Sequence, residues 1–338
     1  MALVINLIIW NFILGTYNMF PKISDDLTFG KRYISDAKII NRIEGNAVND
    51  TNNYGYLDDD FIKGEENIIV LGDSITEANQ VKKEEKYVQI LEAKWKERGI
   101  EIKVHNLAIA GKNAADYIYF GPKYLEKFNP EYVIIQLTLP DILDAFHPYN
   151  TNVYIDEQSN LVPYDSFSRL FKYRNEFTTI NPLFYNTYVK LKSYLIARSD
   201  QQGIRLRLFQ KIQSQDDVID EKKVNLVLGK LKEVYGKKFV ILYLHNINLE
   251  EQYNGQIDDD IDYKYYLFIK QYCQRNNIHL IDATYSMLTH FNQTGKLVNG
   301  FVNNRVGAGH LNTEGHRVIA QIIDDYFIKY IEGKWAKE

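Results

Sequence analysis

Hydrophobic and polar positions along the chain follow two patterns, that of a buried strand and that of an amphipathic helix. Short apolar runs predict strands at 68–71, 102–107, 132–137, 238–244 and 278–282. Apolar residues at helical spacing predict helices near 83–98, 114–127, 220–235, 262–276 and 313–330. This alternation predicts an α/β fold, with a parallel sheet covered by helices on both faces. Ligands bind such sheets beyond the carboxyl ends of the strands.

Other segments depart from this alternation. The first segment is 1–20. Its residues 2–20 are largely apolar and carry no charge, and this length is close to the ~20 residues needed to cross a bilayer. They are interpreted as a membrane anchor or signal-like segment, with a buried first helix as the alternative. Residues 21–66 are polar, without sustained periodicity, and predict a wrapping N-terminal segment. The main domain is then 67–330, followed by a tail at 331–338.

An insertion interrupts the main domain at about 145–215, where Tyr and Phe are abundant. We expect it to form a lid or cap. Its second half is basic, which is typical of a solvated helix face or, alternatively, of a surface that contacts anionic lipid or an acidic glycan.

Composition narrows the function classes. The 338 residues include 40 Lys and Arg against 44 Asp and Glu, a net charge of −4. Without an excess of positive charge, we expect no nucleic-acid partner. The single cysteine, Cys273, excludes an internal disulfide and a thiolate metal cluster, and its apolar helical setting predicts a buried structural thiol.

Candidate chemistry lies where predicted strands end. Ser74 follows the strand at 68–71 in a short turn that begins with Gly72, where a hydroxyl is lifted above the sheet. The alternative is an ordinary loop that caps a helix. Gly111 follows the next strand, and its N–H would join that of Ser74 in an oxyanion hole. His310 is predicted in a glycine-rich loop, before a helix capped by Asn312 or Thr313.

Three sequence blocks, in order, resemble those of the SGNH (GDSL-type) hydrolase family over roughly residues 67–330. They are Gly72-Asp73-Ser74-Ile75, Asn-Leu-x-x-x-Gly at 106–111, and His310-Leu311-Asn312-x-x-Gly315-His316. The resemblance implies a flavodoxin-like three-layer α/β/α fold, a serine nucleophile, a C-terminal histidine base, and neither a metal nor a cofactor. Residues 54–61 are also similar to those of envelope-associated bacterial members.

Two positions depart from the family pattern. The third block, Gly-x-Asn-Asp in the family, aligns with residues 138–141, so Pro140 replaces the asparagine that supplies an oxyanion-hole amide. Candidates for the missing donor are the Thr138 hydroxyl and the Asn113 amide. Gly307 stands where the family has the acid that orients the histidine. A Ser-His dyad is one solution; Asp282 or Asp141 acting through space is another.

The leading hypothesis is a serine-dependent acyl-ester hydrolase acting on O-acyl groups of an envelope or exported glycan, or on a small ester. His310 would take the Ser74 proton, and an acyl-enzyme would follow. The alternatives are a glycan O-acyltransferase that uses the same pair and a catalytically degenerate glycan-binding or assembly module. The expected location is extracytoplasmic or membrane-anchored in a bacterium, with membrane association through the N-terminus.

Overall fold

The computed structural model describes residues 23–26, 28–42, 44–147, 153–163, 220–244 and 261–335, together with residue 5. The apolar segment at 2–20 lies outside these ranges except for residue 5, and most of the insertion at 145–215 lies outside them as well. Within the described ranges, no helix has both the length and the apolar character needed to span a bilayer.

A five-stranded parallel sheet forms the centre of the molecule. Its strands are β1 (Asn67–Leu71), β2 (Lys103–Asn106), β3 (Tyr132–Leu137), β4 (Phe239–Tyr243) and β5 (His279–Asp282). All five predicted strands are therefore confirmed, with ends that differ by at most one residue. Their spatial order, β2-β1-β3-β4-β5, is the flavodoxin-like order of doubly wound folds.

Helices cover both faces of this sheet. Their bounds are α1 (Ser74–Glu77), α2 (Tyr87–Glu97), α3 (Ala114–Phe128), α4 (Leu139–Leu143), α5 (Glu221–Tyr235), α6 (Ile261–Arg275), α7 (Thr284–Thr294) and α8 (Thr313–Trp335). Short 3-10 helices lie at Lys83–Glu85 and Asp144–Phe146. The five predicted helices are all present, although a 3-10 turn precedes α2 within the span predicted as one helix.

Successive side chains along each strand point to opposite faces of the sheet and pack into two separate hydrophobic cores. Ile69, Ile135 and Ile241 pack on one face with residues of α3, α5 and α6. Val70, Ile134 and Leu242 pack on the other face with residues of α2, α7 and α8. Since each such side chain stabilises the fold by ~1.5–3 kcal/mol when fully buried, the apolar strands can persist only between two helical layers. The three-layer α/β/α architecture follows.

The polar N-terminal segment forms two antiparallel hairpins that the sequence pattern did not reveal. The first pairs Ile23–Asp26 with Gly30–Tyr33, and the second pairs Lys38–Asn41 with Ala47–Asp50. Further hairpins pair Val153–Ile155 with Leu161–Pro163 and Asn299–Gly300 with Val306–Leu311. These strands are too short to show a clear period of two residues.

The prediction that His310 lies in a loop is wrong, because it lies in the strand Val306–Leu311. Two glycines within this strand interrupt the sequence pattern by which a strand is recognised. Gly307 and Gly309 adopt φ values of +82° and +90°, and the pairing register shifts between Asn299 and Gly300. The strand is therefore irregular, and its sequence is typical of a loop.

Candidate active site

Ser74 begins the one-turn helix α1, just beyond the carboxyl end of β1. Gly72 joins strand to helix, and a Cβ atom there would lie only 2.7 Å from Oε1 of Gln136. Asp73 caps the helix, since its Oδ1 accepts the N–H of Ile75 at 2.9 Å. Ser74 is half-buried, and its N–H is among the first of a helix, which have no partner within the helix. The turn thus offers a hydroxyl and an N–H at the sheet edge.

His310 is held by a carboxylate that the sequence analysis missed, that of Glu44. Its Oε2 lies 2.6 Å from Nδ1 of His310, and its Oε1 accepts the backbone N–H of His310 at 3.0 Å. The His310 side chain is 30% exposed and that of Glu44 is 12% exposed. One carboxylate oxygen therefore binds the imidazole and the other binds the backbone of the same residue, which leaves Nε2 as the nitrogen available for proton transfer.

The electrostatics of this pair favour a charged imidazole. Burial alone would lower the pKa of His310, but the hydrogen bond and charge of Glu44, followed by the charges of Asp73 and Glu77, raise it above its ordinary value. Burial opposes ionisation of Glu44, but its hydrogen bonds and its attraction to His310 lower the pKa of this carboxyl. Such a pair stabilises the imidazolium that forms when a histidine accepts a proton.

The turn that carries Ser74 lies next to His310. Helix α1 contacts the strand Val306–Leu311. The charges of Asp73 and Glu77, at the two ends of the Ser74 turn, act on the His310 imidazole. The structure therefore brings Ser74, His310 and Glu44 together from three distant parts of the chain.

Glu44 lies between the two strands of the second N-terminal hairpin, and hydrogen bonds fix this hairpin on both sides. Asn303 accepts the N–H of Gly45 at 2.9 Å and donates its Nδ2 to the Gly45 carbonyl at 2.7 Å. On the other side, Asn41 Nδ2 donates to Asn79 Oδ1 at 2.6 Å, just after α1. The hairpin therefore links the Ser74 turn to the segment that precedes His310.

Neither aspartate suggested as the acid binds His310. Asp282 ends β5 and accepts hydrogen bonds from the Tyr266 hydroxyl at 2.5 Å and from the N–H of Thr284 at 2.9 Å. Three strand spacings of ~4.8 Å separate β5 from β1. Asp141 accepts from Thr138, as described below. Among the described residues, the carboxylate that binds His310 is therefore that of Glu44 and not that of either aspartate.

The loop that contains Gly111 is hydrogen-bonded to the turn that carries Ser74. Asn106 donates its Nδ2 to the Thr76 carbonyl at 2.7 Å, and the N–H of Ile109 donates to the Gly72 carbonyl at 3.2 Å. Gly111 itself is exposed and has a φ of +80°, a conformation that favours glycine. These two hydrogen bonds hold the loop against the turn that carries Ser74.

The two side chains proposed as additional donors differ in their availability. The Thr138 hydroxyl donates to Oδ2 of Asp141 at 2.8 Å, so it is already engaged in capping α4. The Asn113 Oδ1 caps α3 by accepting the N–H of Ala115 at 3.0 Å. Its buried Nδ2 has no hydrogen-bond partner among the described residues. Of the two, Asn113 is the one with a donor to spare.

A buried lysine, Lys86, stabilises the carboxyl end of α1. Lys86 is fully buried, and its Nζ donates to the carbonyl of Glu77 at 2.9 Å and to that of Leu57 at 3.3 Å. Burial lowers the pKa of Lys86 to about 7, although the charges of Glu77 and Asp58 oppose the shift. These hydrogen bonds fix the carboxyl end of α1, and with it the position of Ser74.

His316 has a structural environment. It is buried in α8 and stacks on Tyr87, with ring centroids 5.9 Å apart. Burial, followed by the charges of Lys86 and His310, lowers the pKa of His316 to about 3. A histidine held neutral inside a helix is a poor candidate for the base. Asn312 caps this helix, as predicted, by accepting the N–H groups of Glu314 and Gly315.

Comparison with solved structures finds likenesses among lipolytic proteins and esterases. A member of the lipolytic protein G-D-S-L family from Veillonella parvula is 17% identical, with 78% of this chain and 98% of that chain covered and a TM-score of 0.42. An acetyl xylan esterase, AlAXEase, is 18% identical, with 76% of this chain and 97% of that chain covered and a TM-score of 0.42. The psychrotrophic esterase EstA from a Pseudoalteromonas species is 13% identical, with 79% of this chain and 100% of that chain covered and a TM-score of 0.44. No protein-family model and no curated protein matches the sequence.

Proposed function

We propose that this chain is a serine ester hydrolase of the SGNH type. The observation that carries the proposal is the pairing of His310 with Glu44 beside the turn that presents Ser74. A carboxylate that holds one imidazole nitrogen, with a serine on the other side, is the arrangement that serine acyl transfer requires. The same arrangement is needed regardless of the fold that carries it.

In the first half of the reaction, His310 accepts the Ser74 proton at Nε2 while Oγ attacks the ester carbonyl carbon. The carbonyl oxygen becomes an oxyanion, which the N–H groups of Ser74 and Gly111 stabilise. Glu44 keeps the proton on Nδ1 and stabilises the imidazolium. The C–O bond to the alcohol then breaks, and the alcohol leaves with the proton held by Nε2.

In the second half, water attacks the acyl group on Ser74. His310 again takes a proton at Nε2, now from the water, and returns it to Oγ as the acyl–serine bond breaks. The products are a carboxylic acid and the regenerated serine. The raised pKa of His310 means that the free base is depleted as the solution becomes acidic, so activity falls at low pH.

The substrate we propose is an O-acylated glycan of the cell envelope or an exported glycan. Support comes from the sequence, in which an apolar segment at 2–20 and a Tyr- and Phe-rich insertion at 145–215 flank or interrupt the domain. Aromatic side chains provide flat apolar surfaces that suit ring-shaped ligands. The same features support an extracytoplasmic or membrane-anchored location.

Pro140 favours a second candidate, a glycan-binding or assembly module that has lost catalysis. Proline has no N–H, and its side chain offers no hydrogen bond to an oxyanion. Losing one such donor costs about 10²–10³ in rate. A glycan O-acyltransferase would use the Ser74 and His310 chemistry already described, with a sugar hydroxyl in place of water.

The test is reaction with a fluorophosphonate probe, together with hydrolysis of p-nitrophenyl acetate. We expect labelling and turnover in the wild type and in Ser35→Ala, an exposed serine in a turn, and neither in Ser74→Ala. Labelling that persists in Ser74→Ala would remove Ser74 from the nucleophile role. An unlabelled and inactive wild type would favour the binding module. Faster release of p-nitrophenol with added sugar would favour the transferase.

A further inference from the structure

Asp141 lies in α4, at the carboxyl edge of the sheet next to the Ser74 turn. Strand β3 pairs with β1, with Leu71 opposite Ile135. Beyond these strands, the N–H of Asp73, which precedes Ser74, donates to Oε1 of Gln136 on β3 at 3.2 Å, so the Ser74 turn is joined to the carboxyl end of β3. Pro140 and Asp141 follow in the first turn of α4, and the Asp141 carboxyl lies close enough to Asp73 for the charge of Asp73 to act on it.

The two oxygens of Asp141 have different surroundings. Oδ2 accepts both the N–H of Thr138 at 2.7 Å and its hydroxyl at 2.8 Å. The residue is 5% exposed, and no described residue donates to Oδ1. If this carboxyl carries a proton, the proton must sit on Oδ1, because Oδ2 is occupied by two donors. The neutral carboxylic acid then has one O–H group that can donate a hydrogen bond.

The surroundings favour that neutral form. Burial, followed by the charge of Asp73, raises the pKa of Asp141 well above its ordinary value, although the two hydrogen bonds from Thr138 oppose this shift; the charge of Asp144 acts in the same direction as burial. Tyr117 faces the carboxyl from α3.

The groups of the other two helices that contact α4 have separate partners. Lys223 of α5 lies over the ring of Phe146, and Tyr266 of α6 donates to Asp282. No hydrogen bond joins the Asp73 and Asp141 carboxyls among the described residues. The Asp141 proton is therefore not committed to Asp73.

We propose that Asp141 acts as a neutral carboxylic acid whose Oδ1–H donates a hydrogen bond to the oxyanion formed on the Ser74 adduct. This role rests on the proposed function. The proton stays on Asp141 throughout, so no bond to hydrogen breaks at this residue. An ionised carboxylate here would repel the forming oxyanion, whereas a carboxylic acid kept neutral by its site is an effective donor. Asp141 thereby supplies the third donor that Pro140 does not.

The experiment compares Asp141→Leu, Asp141→Asn and Thr138→Val on p-nitrophenyl acetate across pH. Leucine removes the donor, and kcat should fall by about 10²-fold or more with KM nearly unchanged. Asparagine keeps an acceptor for Thr138 and an N–H for the oxyanion, so it should lose less than tenfold. Thr138→Val, the matched control, removes one hydrogen bond to Oδ2 but leaves the carboxyl, and should also lose less than tenfold.

The pH profile separates this role from simple capping of α4. The wild type should lose activity at high pH as Asp141 ionises, and Asp141→Asn should lack that alkaline limb. Thermal unfolding of each variant shows whether α4 is intact. Asp141→Asn supplies the test if Asp141→Leu does not fold.

Two results would overturn the role while the esterase assignment stands: Asp141→Leu as active as the wild type, or Asp141→Asn with an unchanged alkaline limb. A wild type that neither turns over ester nor reacts with the fluorophosphonate probe would instead overturn the proposed function, and this role with it.

Discussion

Replacing Glu44 by glutamine tests the carboxylate that the structure places on His310. The change is nearly isosteric, so the hairpin and its hydrogen bonds to Asn303 should remain. The amide oxygen of glutamine can still accept the N–H of His310, which directs the NH₂ group at Nδ1. Since NH₂ only donates, Nδ1 must become the acceptor and the proton must move to Nε2. That tautomer cannot take a proton from Ser74.

The expected loss has two parts. A hydrogen bond to a charged group contributes about 1.5–3 kcal/mol, equivalent to roughly 10–150-fold in rate. Locking an imidazole in the wrong tautomer costs more, about 10⁴-fold in kcat for a comparable triad. We therefore expect kcat for p-nitrophenyl acetate to fall by about 10³–10⁴-fold in Glu44→Gln.

The pH dependence gives an independent readout. In the wild type, activity is present while His310 is neutral and is lost as pH falls through its raised pKa. In Glu44→Gln the raising influence is removed and burial remains, so the acid limb should move to lower pH. Glu97→Gln, an exposed carboxylate on α2, is the control. Near wild-type kcat in Glu44→Gln, with an unmoved acid limb, would refute the triad.

Four further substitutions probe the site and its surroundings. His310→Ala should abolish turnover, while His316→Ala should retain most of it in a less stable protein; kinetics and thermal melts distinguish them, and the reverse result would exchange their roles. Gly309→Ala should reduce kcat by at least tenfold, because its Cβ would lie 2.6 Å from Oε1 of Glu44 at a φ that disfavours a side chain; an unaltered kcat would show that Glu44 can shift without consequence. Asn113→Ala should lower kcat and leave KM nearly unchanged if its amide reaches the oxyanion; equal kcat values would confine Asn113 to capping α3.

Much of the fold could be predicted because its signals are local. Strands buried on both faces read as continuous apolar runs, and Ile68-Ile69-Val70-Leu71 is such a run. Amphipathic helices show the spacing of Tyr87, Leu91 and Trp95, all buried in the structure. The position of Ser74 followed in the same way, because a turn just beyond a buried parallel strand opens at the sheet edge.

The acid of the site could not be predicted by the same reasoning. Glu44 is 266 positions from His310 and lies in a polar segment without detectable periodicity. The position near the histidine where the family has its acid holds Gly307. Asp282 and Asp141 follow strand ends, but they accept hydrogen bonds from Thr284 and Thr138 instead of from His310. Hydrogen bonds between side chains leave no period in a sequence. The contact depends on the packing of the hairpin against the strand that carries His310, which no local sequence pattern encodes.

The N-terminal hairpin therefore belongs to the site as well as to the surface. Glu44 binds His310 through both carboxylate oxygens, while Asn303 and Asn79 hold the hairpin at either side. Geometry errors of about 1 Å at a catalytic group can cost 10²-fold in rate. In the proposed mechanism, the order of the catalytic groups therefore depends on the docking of this hairpin. Glu44, which precedes the first strand of the sheet, would then set the tautomer of His310, which follows the last strand.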